Sequence, residues 1–332
     1  MKISILTFVV LLLCMTTTST QAQMDPHFSQ YYAYPLWLNP ALTGVIDADA
    51  RVTGNYRDQW TGLSNGYKTT AISGDFRHSD KVAWGANVFN QKAGSAGYNY
   101  LSAYGTFAYQ LTLSSDGFHK LSLGLQAGLI SRRFDPGQLQ LDDQYNPSTG
   151  FDPSFPTTDV FSAASASVFD ASTGLFYYDG RPSAKVNFFA GLSSAHLSGS
   201  KDRLTKDGLD SPVPRRHTLH GGARITATDF LDITPHFIYM RQRKSELKAV
   251  GVNLEFSLKP EYSLMLGGMY RVNDAAVGNV GLYMKNLVVG LSYDYTTSPM
   301  QRVAKAGAGY ELSISYLFTR SLSARSEKCP RL

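Results

Sequence analysis

The sequence predicts an all-β fold: a transmembrane antiparallel β-barrel of about fourteen strands, preceded by an N-terminal segment that is either periplasmic or a plug. Three observations predict it. From about residue 50 to residue 318, short segments alternate apolar and polar side chains, the period-two pattern of strands. The connections between these segments alternate between brief and long, with every long one on the same side. The composition, with 20 Tyr, 18 Phe and 29 Gly and a mean hydropathy of −0.18, suits strands whose every second residue faces water.

The chain opens with a secretory signal over residues 1–22. Lys2 forms the positive region, Leu6 to Met15 the apolar core, and Thr20-Gln21-Ala22 a small-residue cleavage site before Gln23. Leu13 stands before Cys14 where a lipidation signal wants a small residue. Removing Lys2 and no acid lowers the formal charge from +5 to +4, too little and too dispersed for a nucleic-acid partner. Export also removes Cys14, so Cys329 has no intramolecular partner for a disulfide.

Residues 23–49 depart from the barrel pattern. Pro26, Pro35 and Pro40 exclude a regular helix or a central strand, yet Phe28, Tyr31, Tyr32, Tyr34 and Trp37 make the segment too aromatic for an exposed leader. Something must bury it. A flap beneath the barrel and a plug in its lumen both satisfy that requirement. The plug is favoured, because side chains alone fill the interior of so wide a barrel poorly. Asp25, Phe28, Tyr31, Trp37, Asn39 and Pro40 are its candidate plug or partner-binding residues.

Residues 50–319 form the barrel. In Leu121 to Leu129 the odd positions are apolar and their neighbours small or polar, and Leu312, Ile314, Tyr316 and Phe318 repeat the pattern at the end. Asn253 and Glu255, between Val252, Leu254 and Phe256, belong on a hydrated face, so they are expected in the lumen. Asp294 and Glu311 are expected there for the same reason, with backbone amides of residues 25–40 or lumen water as complements. The brief turns fall at His78-Asp80, Ser114-Gly117, Asp179-Ser183, Thr228-Phe230, Lys259-Glu261 and Lys285-Asn286. The opposite side receives Arg133 to Ser165, Ala195 to Arg215 and Thr296 to Ala306, the extracellular loops of an outer-membrane barrel. An even strand number places both termini in the periplasm, with residues 320–332 as a periplasmic tail. Tyr56, Trp60, Tyr104, Tyr270, Tyr293 and Tyr295 are expected in the interfacial girdles.

The chain carries no catalytic or metal-binding constellation in its sequence. The seven histidines lack metal-ligand spacing, and His217 and His220, three apart on a strand, point to opposite faces. Asp142-Asp143 lies in a loop rich in Pro, Asp and Gly, where paired acids are solvated. With no Ser, His and acid arrangement, the sequence is read as a non-enzyme that needs no cofactor and no metal.

Several motifs resemble the PorP/SprF family of the Bacteroidetes: the Asp25-Pro26-x-Phe28-Ser29-Gln30-Tyr31 opening, Asn39-Pro40-Ala41 through Gly44, and Trp60-x-Gly62-Leu63 followed by Lys68-Thr69. Late in the chain, Gly290-x-Ser292-Tyr293-Asp294-Tyr295, Glu311-Leu312-Ser313 and the closing Cys329-Pro330-Arg331 continue the resemblance. Leu42-Thr43 and Asn65-Gly66-Tyr67 depart from the family's commoner residues. The resemblance implies an outer-membrane protein of the type IX secretion system. It would support secretion or surface attachment of a cargo such as a large adhesin with a type B C-terminal sorting domain, and serve gliding motility in some species. Secreted cargo, secretion components and the outer-membrane bilayer are the implied partners. The alternative is an outer-membrane channel or hydrophobic-substrate transporter, resembling the fatty-acid transporters in strand number and N-terminal plug.

Overall fold

In the computed structural model, residues 25–60, 66–94, 96–152, 154–157, 164–201, 212–298 and 308–319 are described. The signal peptide, Gly62-Leu63, Asn65 and the tail with Cys329 lie outside them. The first seven strands are β1 (Ala50–Gln59), β2 (Tyr67–Arg77), β3 (Val82–Ala93), β4 (Tyr98–Thr112), β5 (His119–Arg133) and two strands within one loop, β6 (Tyr145–Asn146) and β7 (Gly150–Phe151). There follow β8 (Ser165–Asp179), β9 (Val186–Ala195), β10 (Arg216–Thr228), β11 (Leu231–Gln242), β12 (Ser245–Lys259) and β13 (Tyr262–Arg271). The last are β14 (Ala275–Met284), β15 (Leu287–Thr296) and β16 (Ala308–Phe318). β6 and β7 pair antiparallel as a separate two-stranded sheet; the other strands pair antiparallel in sequence, and β16 returns to β1 to close a barrel of fourteen strands.

The alternation in the sequence becomes inside and outside. On β5, Leu123, Leu125 and Leu129 are exposed on the outer face, while Ser122, Gln126 and Ile130 are buried within. An exposed apolar band of this kind is the surface a bilayer covers, and closure leaves no unpaired sheet edge inside it. The long connections all leave from one end, the extracellular end of such a barrel, and the other end carries only brief turns. Tyr56, Tyr270, Tyr293 and Tyr295 lie on the outer face toward the loop end. Tyr104 does not. It is buried, and its hydroxyl donates to Asp170 at 2.8 Å across the lumen wall. A tyrosine at the same height suits either face when a carboxylate waits inside, so residue type alone misplaced it.

The N-terminal segment lies within the lumen as a plug made of a 3-10 turn at Tyr31–Ala33, a single helical turn at Pro35–Leu38 and a second 3-10 turn at Pro40–Leu42. Pro35 and Pro40 each begin a turn where the missing N–H is not needed. Phe28, Tyr34, Leu36, Leu38 and Leu42 are buried against the inner wall, so the plug and wall share one core.

Candidate functional site

Aromatic residues on one wall hold the middle of the plug. Phe89 of β3 meets Phe28 edge-on, with ring centroids 5.5 Å apart, and stacks with Trp37 at 6.4 Å. The Arg216 guanidinium stands 3.8 Å from the Trp37 ring centroid and donates to the Trp37 carbonyl at 3.1 Å. Tyr31 Oη lies 2.5 Å from His236 Nδ1. Tyr34 donates to the carbonyls of Ile72 and Val88.

Asn39 and Pro40 lie where the plug touches the wall most closely. Asn39 caps the second 3-10 turn by accepting from the Ala41 amide at 2.9 Å, donates to the Leu175 carbonyl at 2.9 Å, and lies 3.2 Å from His220 Nε2. The approach needs glycine in the wall. A Cβ at Gly124 would overlap the Pro40-Ala41 backbone, and one at Gly174 the Asn39 side chain.

Two buried polar groups fix the upper plug. Toward the loop end, Asp25 accepts from His196 Nε2 at 2.6 Å and from Arg216 at 3.2 Å, and it exchanges two hydrogen bonds with Gln242. The other His196 nitrogen faces Asp170 at 2.9 Å. Burial alone would raise the Asp25 carboxyl, but His196 and Arg216 outweigh it and hold Asp25 well below the usual carboxylate range. Burial likewise opposes a charged His196, and Asp25 and Asp170 together raise it to about 9.

Below this, Asp294 accepts from Arg57 at 2.8 Å, Arg271 at 2.9 Å and the Ser29 hydroxyl at 2.6 Å. Glu311 accepts the backbone amides of Ser29 and Gln30 at 2.7 and 3.1 Å. Gln30 also bonds Ser292 and Ser313. Asn253 and Glu255 are buried on the lumen face of β12, nearer the turn end. His196, Asp170, Arg216, Arg57 and Arg271, absent from the sequence candidates, do as much of the holding. The inward parity of charged residues on strands was the signal that pointed to the last three.

The plug runs the height of the barrel. Asp25 lies among residues of the long-loop end, whereas Gly44 bonds Asp75 near the brief turns, where Arg77 also reaches the Ile46 carbonyl. The described N-terminal end is therefore at the extracellular mouth, a correction to the expectation that both termini are periplasmic. Strand parity fixes only where β1 starts and β16 ends. The segment before β1 is long enough to climb the lumen.

Open cavities flank the plug at both ends. One of about 560 Å³ at the loop end is lined by Asp25, Pro26, His27, Trp60 and Arg271. Another of about 340 Å³ at the turn end lies between Tyr32, Leu42 and Val45 of the plug and Gly281, Gly290 and Ser313 of the wall. The contacts of Ser29 and Gln30 lie between them.

The family described as type IX secretion system membrane protein PorP/SprF matches residues 20–316. The chain belongs to the PorP/SprF family. No curated protein matches it. Among solved structures, the Ralstonia pickettii toluene transporter TbuX is similar with a TM-score of 0.52 and 12% identity, over 85% of this chain and 93% of that one. The monoaromatic hydrocarbon channel CymD is similar with a TM-score of 0.50 and 10% identity, over 87% and 93%. At such identity the likeness is one of fold. Family and fold together make this PorP/SprF protein an outer-membrane β-barrel of the type IX secretion system.

Proposed function

We propose that this PorP/SprF protein works by binding other proteins, as a plugged barrel that supports secretion or surface attachment of a type IX cargo, such as a large adhesin with a type B C-terminal sorting domain. It acts without catalysis. The observation that carries the reading is the plug itself. Residues 25–49 are tied to the wall by the buried ion pairs of Asp25 with His196 and Arg216 and by aromatic contacts, an arrangement suited to a fixed docking platform and ill suited to free diffusion through the lumen. The residues of the family's opening motif, Asp25, Phe28, Ser29 and Gln30, are those that make these contacts. Secretion components or cargo would meet the plug at its two cavities and the long loops outside.

The test is deletion of residues 25–44, with barrel insertion checked by surface labelling. Loss of cargo display without added small-solute leakage supports docking, whereas leakage with normal display reduces the plug to a seal. The alternative is a hydrophobic-substrate channel, and the half-apolar cavity at the turn end favours it. It would be supported by steady conduction of the wild-type protein in planar bilayers and a null strain deficient only in solute uptake.

A further inference from the structure

The outer surface of β10, β11 and β12 changes character sharply toward the loop end. Leu219, Phe237 and Val250 are exposed apolar residues of the lipid-facing band. Just above them, cross-strand register sets Tyr239 beside Leu219 and Lys248, and Arg241 beside His217 and Glu246. Arg215, Arg243 and Lys244 complete the face, all exposed. Among the described residues of this face, Arg215, Arg241, Arg243, Lys244 and Lys248 stand beside the Glu246 carboxylate, which lies 2.7 Å from Lys248 and 4.0 Å from Arg241. Arg241 and Lys248 remain 60% and 56% exposed, so these contacts leave charge free for a ligand.

The cluster has a cavity. An open space of about 490 Å³ is lined by Arg215, His217, Arg241 and Arg243, by the Pro212-Val213-Pro214 segment, and by Gly199 and His196. The turn joining β11 to β12 places Arg243 at φ 51°, a left-handed conformation that favours Gly or Asn. Arg243 is among the residues that line the cavity. Elsewhere at the loop end the outer face carries Tyr56, Tyr270, Tyr293 and Tyr295, with Lys68 and Lys92 as a separate cross-strand pair.

We propose that this face binds the phosphate groups of an outer-leaflet glycolipid, with Arg215, Arg241 and Arg243 as the phosphate ligands and Leu219, Phe237 and Val250 against the acyl chains. Continuity decides the occupant. The cations adjoin the lipid-covered wall at the level where its apolar band ends, so a headgroup reaches them while its chains lie along the band. Arginine suits the role because its planar fork matches phosphate oxygens.

The experiment is binding of purified lipopolysaccharide, intact and enzymatically dephosphorylated, to the detergent-solubilised full barrel, read by native mass spectrometry and by titration at two salt concentrations. The variant R215Q/R241Q/R243Q alters only exposed side chains, and retained heat-modifiable mobility in electrophoresis verifies its barrel. Loss of three such charges is expected to weaken binding of intact lipid roughly a hundredfold, taking each as worth about fivefold at an anionic membrane surface. Dephosphorylated lipid should bind the wild type as weakly as intact lipid binds the variant, and inorganic phosphate should not compete at lipid-saturating concentrations. Equal binding of both lipids, an unaffected variant, or an equal loss in K68Q/K92Q, which removes a cross-strand lysine pair from β2 and β3, overturns the site. Loss of an acidic protein partner from R215Q/R241Q/R243Q with lipid binding intact likewise overturns it in favour of protein docking.

Discussion

The backbone amide of Ser29 donates to the Glu311 carboxylate at 2.7 Å across a separation of 282 residues, joining the first ordered turn of the plug to the strand that closes the barrel. Because β16 pairs with both β1 and β15, this contact couples seating of the plug to closure of the wall. Seating of the plug is therefore expected to stabilise the closed barrel.

Replacing Glu311 by Ala removes the acceptor of both the Ser29 and Gln30 amides and takes a carboxylate from beside Arg57. Breaking one side of such a buried arrangement costs about 3–5 kcal/mol. The expected outcome is a lower urea midpoint for the refolded barrel and chymotryptic cleavage within residues 25–49, which hold Phe28, Tyr31, Tyr32, Tyr34 and Trp37 but no Lys or Arg, with the strand content in circular dichroism retained. Wild-type protease resistance in E311A would show that Glu311 does not hold the plug.

The latch between His196 and Asp25 predicts a pH dependence. His196 is raised from 6.5 to about 9, so its stabilisation is complete below about pH 6.5 and is lost as pH climbs through 9. The depressed Asp25 carboxyl reports the same ion pair, so the two shifts are not added. An upper bound for the contribution is roughly 3 kcal/mol. Between about pH 7 and pH 10 the fluorescence of Trp37, stacked on Arg216 beside the latch, should change in the wild type, with a much flatter response in H196Q. An identical pH profile in the variant would assign the transition to another group.

Gly124 predicts how closely the plug must approach. Any side chain there collides with the Pro40-Ala41 backbone, which cannot rotate away, whereas a Cβ at Gly105 meets nothing within 4 Å. G124L should displace the plug and raise single-channel conductance while the barrel still inserts, and G105A should behave as wild type. Unchanged conductance in G124L would mean that the plug yields without opening a path.

Strand number, strand faces and loop side were legible in the sequence because each follows from period-two alternation and connection length. In the same way, the inward positions of Asp294 and Glu311 are fixed by their neighbours Tyr293 and Leu312. For the N-terminal segment, the need for burial and the preference for the lumen were legible, but not its direction. Its upward path depends on pairings such as Asp25 with His196, separated by 171 residues, which no local pattern carries. Tyr104 was misread for a related reason, since its partner Asp170 lies on β8, a strand not next to its own in the barrel.

The topology makes the last prediction, read by labelling single cysteines in a C329S background with a membrane-impermeant maleimide. Ser148 lies in the long connection between β5 and β8, and Ser115 in the brief turn between β4 and β5, so S148C should label on intact cells and S115C only after the outer membrane is permeabilised. Pro26 discriminates more sharply, because it lines the cavity at the loop end although it precedes a strand that begins at the turn end. P26C should therefore label from outside, more slowly than S148C because the site is partly buried. Labelling of P26C only after permeabilisation, with S148C reactive on intact cells, would leave the barrel orientation standing and refute the climb of the plug to the extracellular mouth.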